Sequence, residues 1–463
     1  MPALKVTQVA LRPTAASDTA QRPALTPELL AATGARYSRS NEGLEAILAR
    51  INPADPDASV DAIFRFVDYG HASIADMAPV ALFIDGVSLA TAYLIWSLSP
   101  TAGGQESSTR YIRLDAEGVV EPHDLGVPSA EHDAWRAWVA QSFAHYEAAL
   151  ALWERHAQDY PHLTRVPRSL REDPSDRVQK AVARMLRNYA FDRARYFLPV
   201  AARTNMMMVE SARAWVGLCQ SLLAHPWPEA QRVGALIRDE LALAAPRLLK
   251  HAEAKPSGVA GWHDEMQGWA RRARATETAA HDASPTATLE VLPPPGVTEA
   301  DFRCALAHHD NRYAPIGSPL ARTMVRFGWD AVAFAEIRDL NRHRTGTKYC
   351  PLVPQGFYAA LDAAQPDFGA ELQPLAQWGG ASCEKARALV AEGREGIGWM
   401  LLGTQFPFEH TTTADKFLYE AELRTGLGAH YRYAQHLHDA LALWFAKYPG
   451  TRGLILEGTA EPE

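Results

Sequence analysis

Arg342-His343-Arg344-Thr345-Gly346-Thr347 closes an apolar-periodic stretch, Trp329–Leu340, that predicts a helix running into a loop. Two guanidinium groups and an imidazole at such a junction gather donors suited to a phosphate or a flavin ring. The same residues also fit a basic last turn that complements the helix dipole. A second polar stretch, Gln105-Glu106-Ser107-Ser108-Thr109-Arg110-Tyr111, reads as an extended loop. There Glu106, Ser108 and Arg110 alternate and point to one side, so acceptor, hydroxyl and guanidinium could hold a nucleotide's base, sugar and phosphate. A polar turn with an internal Glu–Arg pair is the other reading of those residues.

Each stretch has a comparable setting. Tyr69-Gly70-His71-Ala72-Ser73 lies ahead of the apolar run Ala78–Trp96 and the loop GGQESSTRYIR. Tyr313-Ala314-Pro315-Ile316-Gly317 lies ahead of Trp329–Leu340 and RHRTGTKYCP. Farther on, Leu198-Pro199 precedes Thr204 as Phe406-Pro407 precedes Thr412. The shared order predicts a duplicated domain with a helical insertion near 126–185 in the first copy. Ser284-Pro285-Thr286 through Pro293-Pro294-Pro295-Gly296 breaks the composition, because consecutive prolines cannot continue a helix. The expected division is a first domain over 1–282, a Pro-rich linker over 283–298 and a second domain over 299–463. A long surface loop inside one domain is the alternative.

The class expected is α+β with much helix. Ser129 reads as an N-cap before Trp135, Trp138, Val139, Phe143, Tyr146 and Leu150 at helical spacing. A further helix is predicted over Val178–Phe191. Short strands are predicted at Gly118–Val120 and Leu454–Leu456. Ala78–Trp96, interrupted by Pro79, Asp85 and Gly86, reads as a buried helix, since a membrane span needs about twenty apolar residues. No basic start followed by an apolar run opens the chain, so a cytoplasmic protein is expected.

Composition narrows the function. The 463 residues exceed the roughly 100–200 of a single domain. A net charge of −8 excludes a globally basic nucleic-acid coat while leaving room for a local cationic pocket. Cys219, Cys304, Cys350 and Cys383 lie far apart, which specifies neither a disulfide scaffold nor a structural zinc site. No metal is expected.

The two polar stretches together resemble the flavin-dependent thymidylate synthases. That family's signature runs Arg-His-Arg, two residues, Ser, four residues, Ser, one residue, Arg, often with Glu two before the second Ser. Here it is divided. The first half carries the trailing part as Glu106, Ser108 and Arg110, with Leu98-Ser99-Pro100 where Arg-His-Arg belongs. The second half carries Arg342, His343 and Arg344, then Cys350, Leu352 and Pro354 where Glu, Ser and Arg belong. Gly70-His71-Ala72-Ser73 resembles the flavin-contacting Gly-His-x-Ser/Thr element. Ala194-Arg195-Tyr196-Phe197-Leu198-Pro199 resembles Arg-x-x-Leu-Pro, with Gly403 read as the second-half counterpart of the arginine. Arg213 falls at a flavin-binding arginine, and Leu423-Arg424 resembles a Leu-Arg that reaches deoxyuridylate. Two positions depart from the pattern: Asp339 stands where a Gln usually touches the nucleotide, and Ser211 where an Asn is expected.

The resemblance implies two tandem synthase-like domains of mixed or antiparallel sheet with long helices. It implies FAD-dependent methylation of deoxyuridylate to thymidylate, with methylenetetrahydrofolate and NADPH as cosubstrates, at a site composed from both halves. Arg195 and Ser108 would be catalytic. Glu106, Ser108, Arg110, Arg195, Asp339 and Arg424 would line the nucleotide. His71, Ser73, Arg213, Arg342, His343 and Arg344 would hold the flavin. Two chains would form a homodimer imitating four single domains, with no nucleic-acid or membrane partner. A flavin-dependent one-carbon transferase on another pyrimidine nucleotide, and a non-catalytic nucleotide- or flavin-binding relative, are the alternatives.

Overall fold

The apolar run Ala78–Trp96 is not one helix. A computed structural model describes residues 2–9, 11, 25–40, 43–52, 54–68, 72–275 and 285–461, leaving out the side chains of 66–68. In it the run divides at Ser88, which ends a strand at Pro79–Ser88 and caps a helix, Leu89–Leu98. The Ser88 hydroxyl accepts the Thr91 N–H at 3.0 Å, satisfying one of the orphan donors of the first turn. A strand buried on both faces is continuously apolar, so periodicity could not tell it from helix. The expected helix Trp329–Leu340 is corrected in the same way: a strand covers Met324–Ala333, and the helix is only Phe334–Leu340.

The chain forms two compact units. The first comprises Met1–Ser107, Glu117–Gly126 and Ala201–Glu265. Its antiparallel sheet has the order β1 (Lys5–Val9), β2 (Pro79–Ser88), β4 (Arg203–Ser211), β3 (Gly103–Glu106). The helices Ala212–Ala224 and Pro228–Ala244 follow β4 and bury Trp215, Cys219, Val233 and Ile237.

The second unit comprises Ser108–Ala116, Val127–Val200 and Met266–Glu463. Its antiparallel sheet has the order β5 (Ala287–Leu292), β6 (Met324–Ala333), β9 (Thr404–Thr413), β7 (Thr347–Tyr349), with β8 (Gly356–Phe357) also paired to β9. The helices Ala414–Thr425 and Tyr431–Lys447 follow β9. The long helix His132–Asp159 lies in this unit: Trp135 donates to the Gly398 carbonyl at 2.7 Å, and Trp138 to Ser382 Oγ at 2.8 Å, on the facing helix Pro366–Ala391.

The two sheets repeat one plan. Ser88 pairs with Arg203 as Ala333 pairs with Gln405, and the register breaks at Ile84/Val87 in β2 and at Trp329/Val332 in β6. That register corrects three readings. Pro199 precedes β4 whereas Pro407 lies inside β9, so these prolines are not equivalent. The turn Arg195–Phe197 corresponds to Ile397–Trp399, which puts Ile397, not Gly403, opposite Arg195. Ser97-Leu98-Ser99, one residue earlier than expected, matches Arg342-His343-Arg344. Local readings shift as well. Within the stretch 283–298 read as linker, Ala287–Leu292 is β5, because its alternating side chains suit a half-buried edge strand. Gly118–Val120 shrinks to a single bridge at Val119, and Leu454–Leu456 is not a strand. The helix expected after Ser129 starts at His132, with Ser129 opening a short 3-10 turn instead of capping it. The helix expected over Val178–Phe191 spans Asp176–Ala194. Among the described residues no helix is long and apolar enough to cross a membrane.

The loop that leads to Arg110 depends on one glycine. A Cβ on Gly104 would stand 2.0 Å from the Met207 carbonyl oxygen and 2.9 Å from the Trp96 ring, whereas one on Gly103 would meet nothing within 4 Å. Gly104→Ala therefore forces β3 off β4 and should cost about 2 kcal/mol or more, while Gly103→Ala leaves stability within about 0.5 kcal/mol. Urea denaturation of the two variants checks this; equal midpoints would contradict the close approach.

Candidate functional site

Asp339 collects the charges of the second unit. It lies on the short helix Phe334–Leu340, one turn after Glu336, so both carboxyls share a face. Arg195 Nη1 and Nη2 each donate to Asp339 Oδ2 at 3.3 Å. Arg424 Nη2 donates to the Asp339 backbone carbonyl at 3.0 Å, and Arg342 comes within 3.8 Å of its carboxylate. Burial alone would raise the Asp339 carboxyl, but Arg195, Arg342, Arg424 and Arg110 outweigh it and hold the group well below the usual carboxylate range. Asp339, which departs from the expected Gln, is thus a carboxylate paired with arginine.

Arg110 and Arg195 hang from one helix end. Asp192, in the last turn of Asp176–Ala194, takes Arg110 in a bidentate pair: Nε to Oδ1 at 2.8 Å and Nη2 to Oδ2 at 2.9 Å. Arg110 Nη1 also donates to the Gly428 carbonyl at 3.0 Å. Three residues beyond Asp192, Arg195 is 1% exposed and lies 3.9 Å from Glu336. His430 Nε2 lies 3.1 Å from the Asp192 carbonyl, and its Nδ1 accepts the Arg432 N–H at 3.2 Å. That pattern fits a neutral ring with its proton on Nε2, and burial drives its titration well below the ordinary value.

The loop 105–111 departs from the expected alternation. Extended backbone stops at Glu106; the Ser108 hydroxyl then accepts the Arg110 N–H at 3.2 Å and the chain turns. In the first unit, Glu106 accepts the Trp96 indole N–H at 3.0 Å and lies 3.4 Å from the Thr204 hydroxyl.

His343 is buried beneath Arg424. Its Nε2 accepts the Arg424 Nε–H at 2.7 Å, which requires the neutral ring with the proton on Nδ1. Burial, then Arg424, pushes its titration down to about 3. Lys348 donates to the His343 carbonyl. Above this floor a cavity of about 680 Å³ opens, lined by Arg312, Arg342, Arg344, Lys416 and Arg424 against the single acid Asp415. Tyr313 and Tyr419 add aromatic surface. Donors and flat rings in that balance suit a phosphorylated, planar ligand. Tyr313, Ala314, Pro315 and Ile316 line this cavity as well.

Within the first unit, Ser73 is exposed on the turn Ala72–Met77, and Arg213 pairs with Asp76 of that turn at 2.8 Å. Ser211 caps the helix Ala212–Ala224 through the Ala214 N–H and lies 3.4 Å from Asp76. His71 lies outside the described residues. Sequence reasoning missed Asp192, Glu336, Arg312 and Lys416. Asp192 had one signal, its position three residues before Arg195 on the same helical face; Arg312 and Lys416 had none, because only tertiary packing brings them to the cavity.

Residues 24–247 match the family model described as thymidylate synthase complementing protein. The UPF0159 protein Ta1429 of Thermoplasma acidophilum is 25% identical over 234 residues, 47% of this chain and 47% of that protein, so the chain spans about half the length of that curated relative. A solved structure, the UMP/dUMP methylase PolB from Streptomyces cacaoi bound with 5-Br dUMP, is 17% identical and covers 54% of this chain and 93% of its own, with a TM-score of 0.32.

Glu336 supplies a pH test of this geometry. It is fully buried, accepts the Tyr196 hydroxyl at 2.7 Å, and its carboxyl is raised from 4.5 to about 7 by burial, with Arg195, Tyr196 and Arg432 only partly offsetting and Asp339 adding to the rise. The unfolded chain loses this proton first, so the contribution to stability is complete below about 4.5 and disappears as pH climbs through about 7. Relative to Glu336→Gln, the parent protein should lose on the order of 2 kcal/mol between pH 4.5 and 8. Denaturant titrations at both pH values measure it; a pH-independent difference would contradict the buried environment.

Proposed function

We propose that this chain, a relative of the flavin-dependent thymidylate synthases, methylates deoxyuridylate to thymidylate with FAD, methylenetetrahydrofolate and NADPH. One observation carries the reading. Arg110 and Arg195 from before residue 200, and Arg342 and Arg424 from beyond 340, converge on the Asp339 carboxylate beside a cationic cavity. Either half of the sequence supplies only part of that set.

Charge balance explains how a nucleotide would enter. Arg110 and Arg195 are each committed to an acid, Asp192 and Asp339. A phosphate dianion can be bound only if one of these pairs opens and its guanidinium turns to the new oxygens, an exchange of one charge-assisted bond for another. Ser108 and Arg110, with Glu106, would grip the nucleotide. Arg195 would stabilise negative charge on the uracil, and Arg424 would close over the base. His343, already engaged by Arg424, would act by holding that arginine in place.

The cavity's five basic side chains, with Tyr313 and Tyr419, fit the pyrophosphate and planar ring of FAD. Arg342, His343 and Arg344 would hold it there, and the resemblance assigns His71, Ser73 and Arg213 to flavin as well. When bound, FAD supplies the electron pair that reduces the transferred carbon. The Cys219 and Cys383 thiols, pushed up to about 12 by burial, are unsuited to serve as nucleophiles. The ionised carboxylate of Asp339, where the family usually has Gln, favours a second reading: a one-carbon transferase on another pyrimidine nucleotide, such as one with an amino group that a carboxylate can accept from.

The assembly proposed is a cytoplasmic homodimer with one flavin per chain. Reduced, purified protein should be oxidised on addition of deoxyuridylate with methylenetetrahydrofolate. Arg110→Ala and Arg344→Ala should each lose about tenfold to a hundredfold in kcat/KM. Turnover of uridylate or deoxycytidylate in place of deoxyuridylate would establish the second reading. Colourless protein that binds no flavin would end both.

A further inference from the structure

A second cavity of about 630 Å³ lies in the same unit and shares no lining residue with the first. Arg193 forms one wall. Its guanidinium is held between the rings of Tyr189, 3.5 Å away, and Tyr431, 4.0 Å away. Nη1 donates to the Tyr189 carbonyl at 3.1 Å and Nη2 to Glu461 Oε1 at 3.0 Å. Stacking on two aromatic faces fixes the plane of the cation while leaving its N–H edge to aim at an anion.

His436 lines the same cavity. It is 1% exposed, and neither ring nitrogen has a hydrogen-bond partner among the described residues. Burial, then Arg432, holds it uncharged at neutral pH, with one N–H donor and one lone pair unused. An unmet pair of polar atoms is costly in an interior. The first unit reaches the same step of its fold, six residues after the helix cap Trp227, with Val233. A polar ring bordering a cavity therefore stands where an apolar side chain satisfies the fold.

Glu461 is placed by its own backbone. Ala460 and Glu461 occupy left-handed conformations, φ 54° and 33°. Their N–H groups donate to the carbonyls of Thr425 and Ala429 at 2.7 and 3.1 Å. The side chain so delivered is a carboxylate against Arg193.

We propose that this cavity binds a small organic carboxylate through Arg193 and His436, and that the side chain of Glu461 is its resident occupant. The chemical class follows from charge. Arg193 pairs with Glu461 at 3.0 Å and Arg432 with Asp362 at 2.8 Å, and Arg165 and Asp439 complete the charged lining. A monoanionic carboxylate replaces Glu461 charge for charge, whereas a phosphate dianion leaves Asp362 and Asp439 facing surplus negative charge. The His436 ring adds the donor that a second carboxylate oxygen needs.

Isothermal titration of the full chain with butyrate, a monoanion of the size of the glutamate side chain, tests this, with inorganic phosphate as the comparison. Glu461→Gln should tighten butyrate binding about tenfold by removing the competing charge. Adding His436→Val should reverse that gain without lowering the thermal midpoint, since Val233 fills the equivalent place. Arg193→Lys should abolish binding; if that variant fails to fold, His436→Val still decides. No butyrate binding by Glu461→Gln, binding indifferent to His436→Val, or phosphate bound more tightly than butyrate would each overturn the proposal.

Discussion

The pairing of Arg195 with Asp339 is the constraint from which the second unit is built. A guanidinium 1% exposed and a carboxylate 7% exposed cannot be buried separately, because removing either ion from water costs far more than the fold's net stability allows. The end of the helix Asp176–Ala194 must therefore meet the helix Phe334–Leu340. Once it does, the neighbouring polar groups have few alternatives. Asp192 faces Arg110, Glu336 receives the Tyr196 hydroxyl, and Arg424 spans Asp339 and His343. Breaking one member leaves the others as uncompensated buried charges, so the cluster acts as a unit.

How legible this was in the sequence depended on the kind of signal. The divided signature, Glu106-x-Ser108-x-Arg110 and Arg342-His343-Arg344, was visible because it is short and contiguous. The antiparallel α+β character followed from the same resemblance. The strands β2 and β6 were hidden: β2 is buried along most of its length and shows little alternation, and β6, which alternates buried Val325, Phe327 and Trp329 with exposed Met324, Arg326 and Asp330, runs without a break into a buried helix. The edge strand β5 was masked by the prolines after it. Glu336 was invisible as a site residue because an acid in a helix ordinarily faces water, and Asp192 offered only its spacing from Arg195; the depth of their burial is what distinguishes them.

The two sheets show how one plan accommodates different chemistry. In the first unit Ser88 and Thr91 donate their hydroxyls at 2.5 and 2.6 Å to the buried carboxylate of Glu229. The corresponding places in the second unit are Ala333, Glu336 and Arg432. The acid stands on the helix Pro228–Ala244 in the first unit and on the helix Phe334–Leu340 in the second, where a cation, Arg432, takes the place equivalent to Glu229. In the first unit hydroxyls hydrogen-bond a carboxyl that burial still raises; in the second a carboxyl raised to about 7 sits among arginines. The same backbone thus carries a structural polar plug in one copy and an ionic cluster in the other.

The partition of the chain between the units has a consequence for synthesis on the ribosome. Everything in the first unit has been translated by Glu265, whereas Val127–Val200 belongs to a body completed only by the C-terminal residues. At elongation rates of about 5–20 residues per second, the aromatic face of His132–Asp159, with Trp135 and Trp138, waits many seconds for Ser382 and Gly398. Nascent chains of this protein therefore pass through a stage with one finished body and a pair of sticky, unsheltered helices, the kind of species that holding chaperones capture.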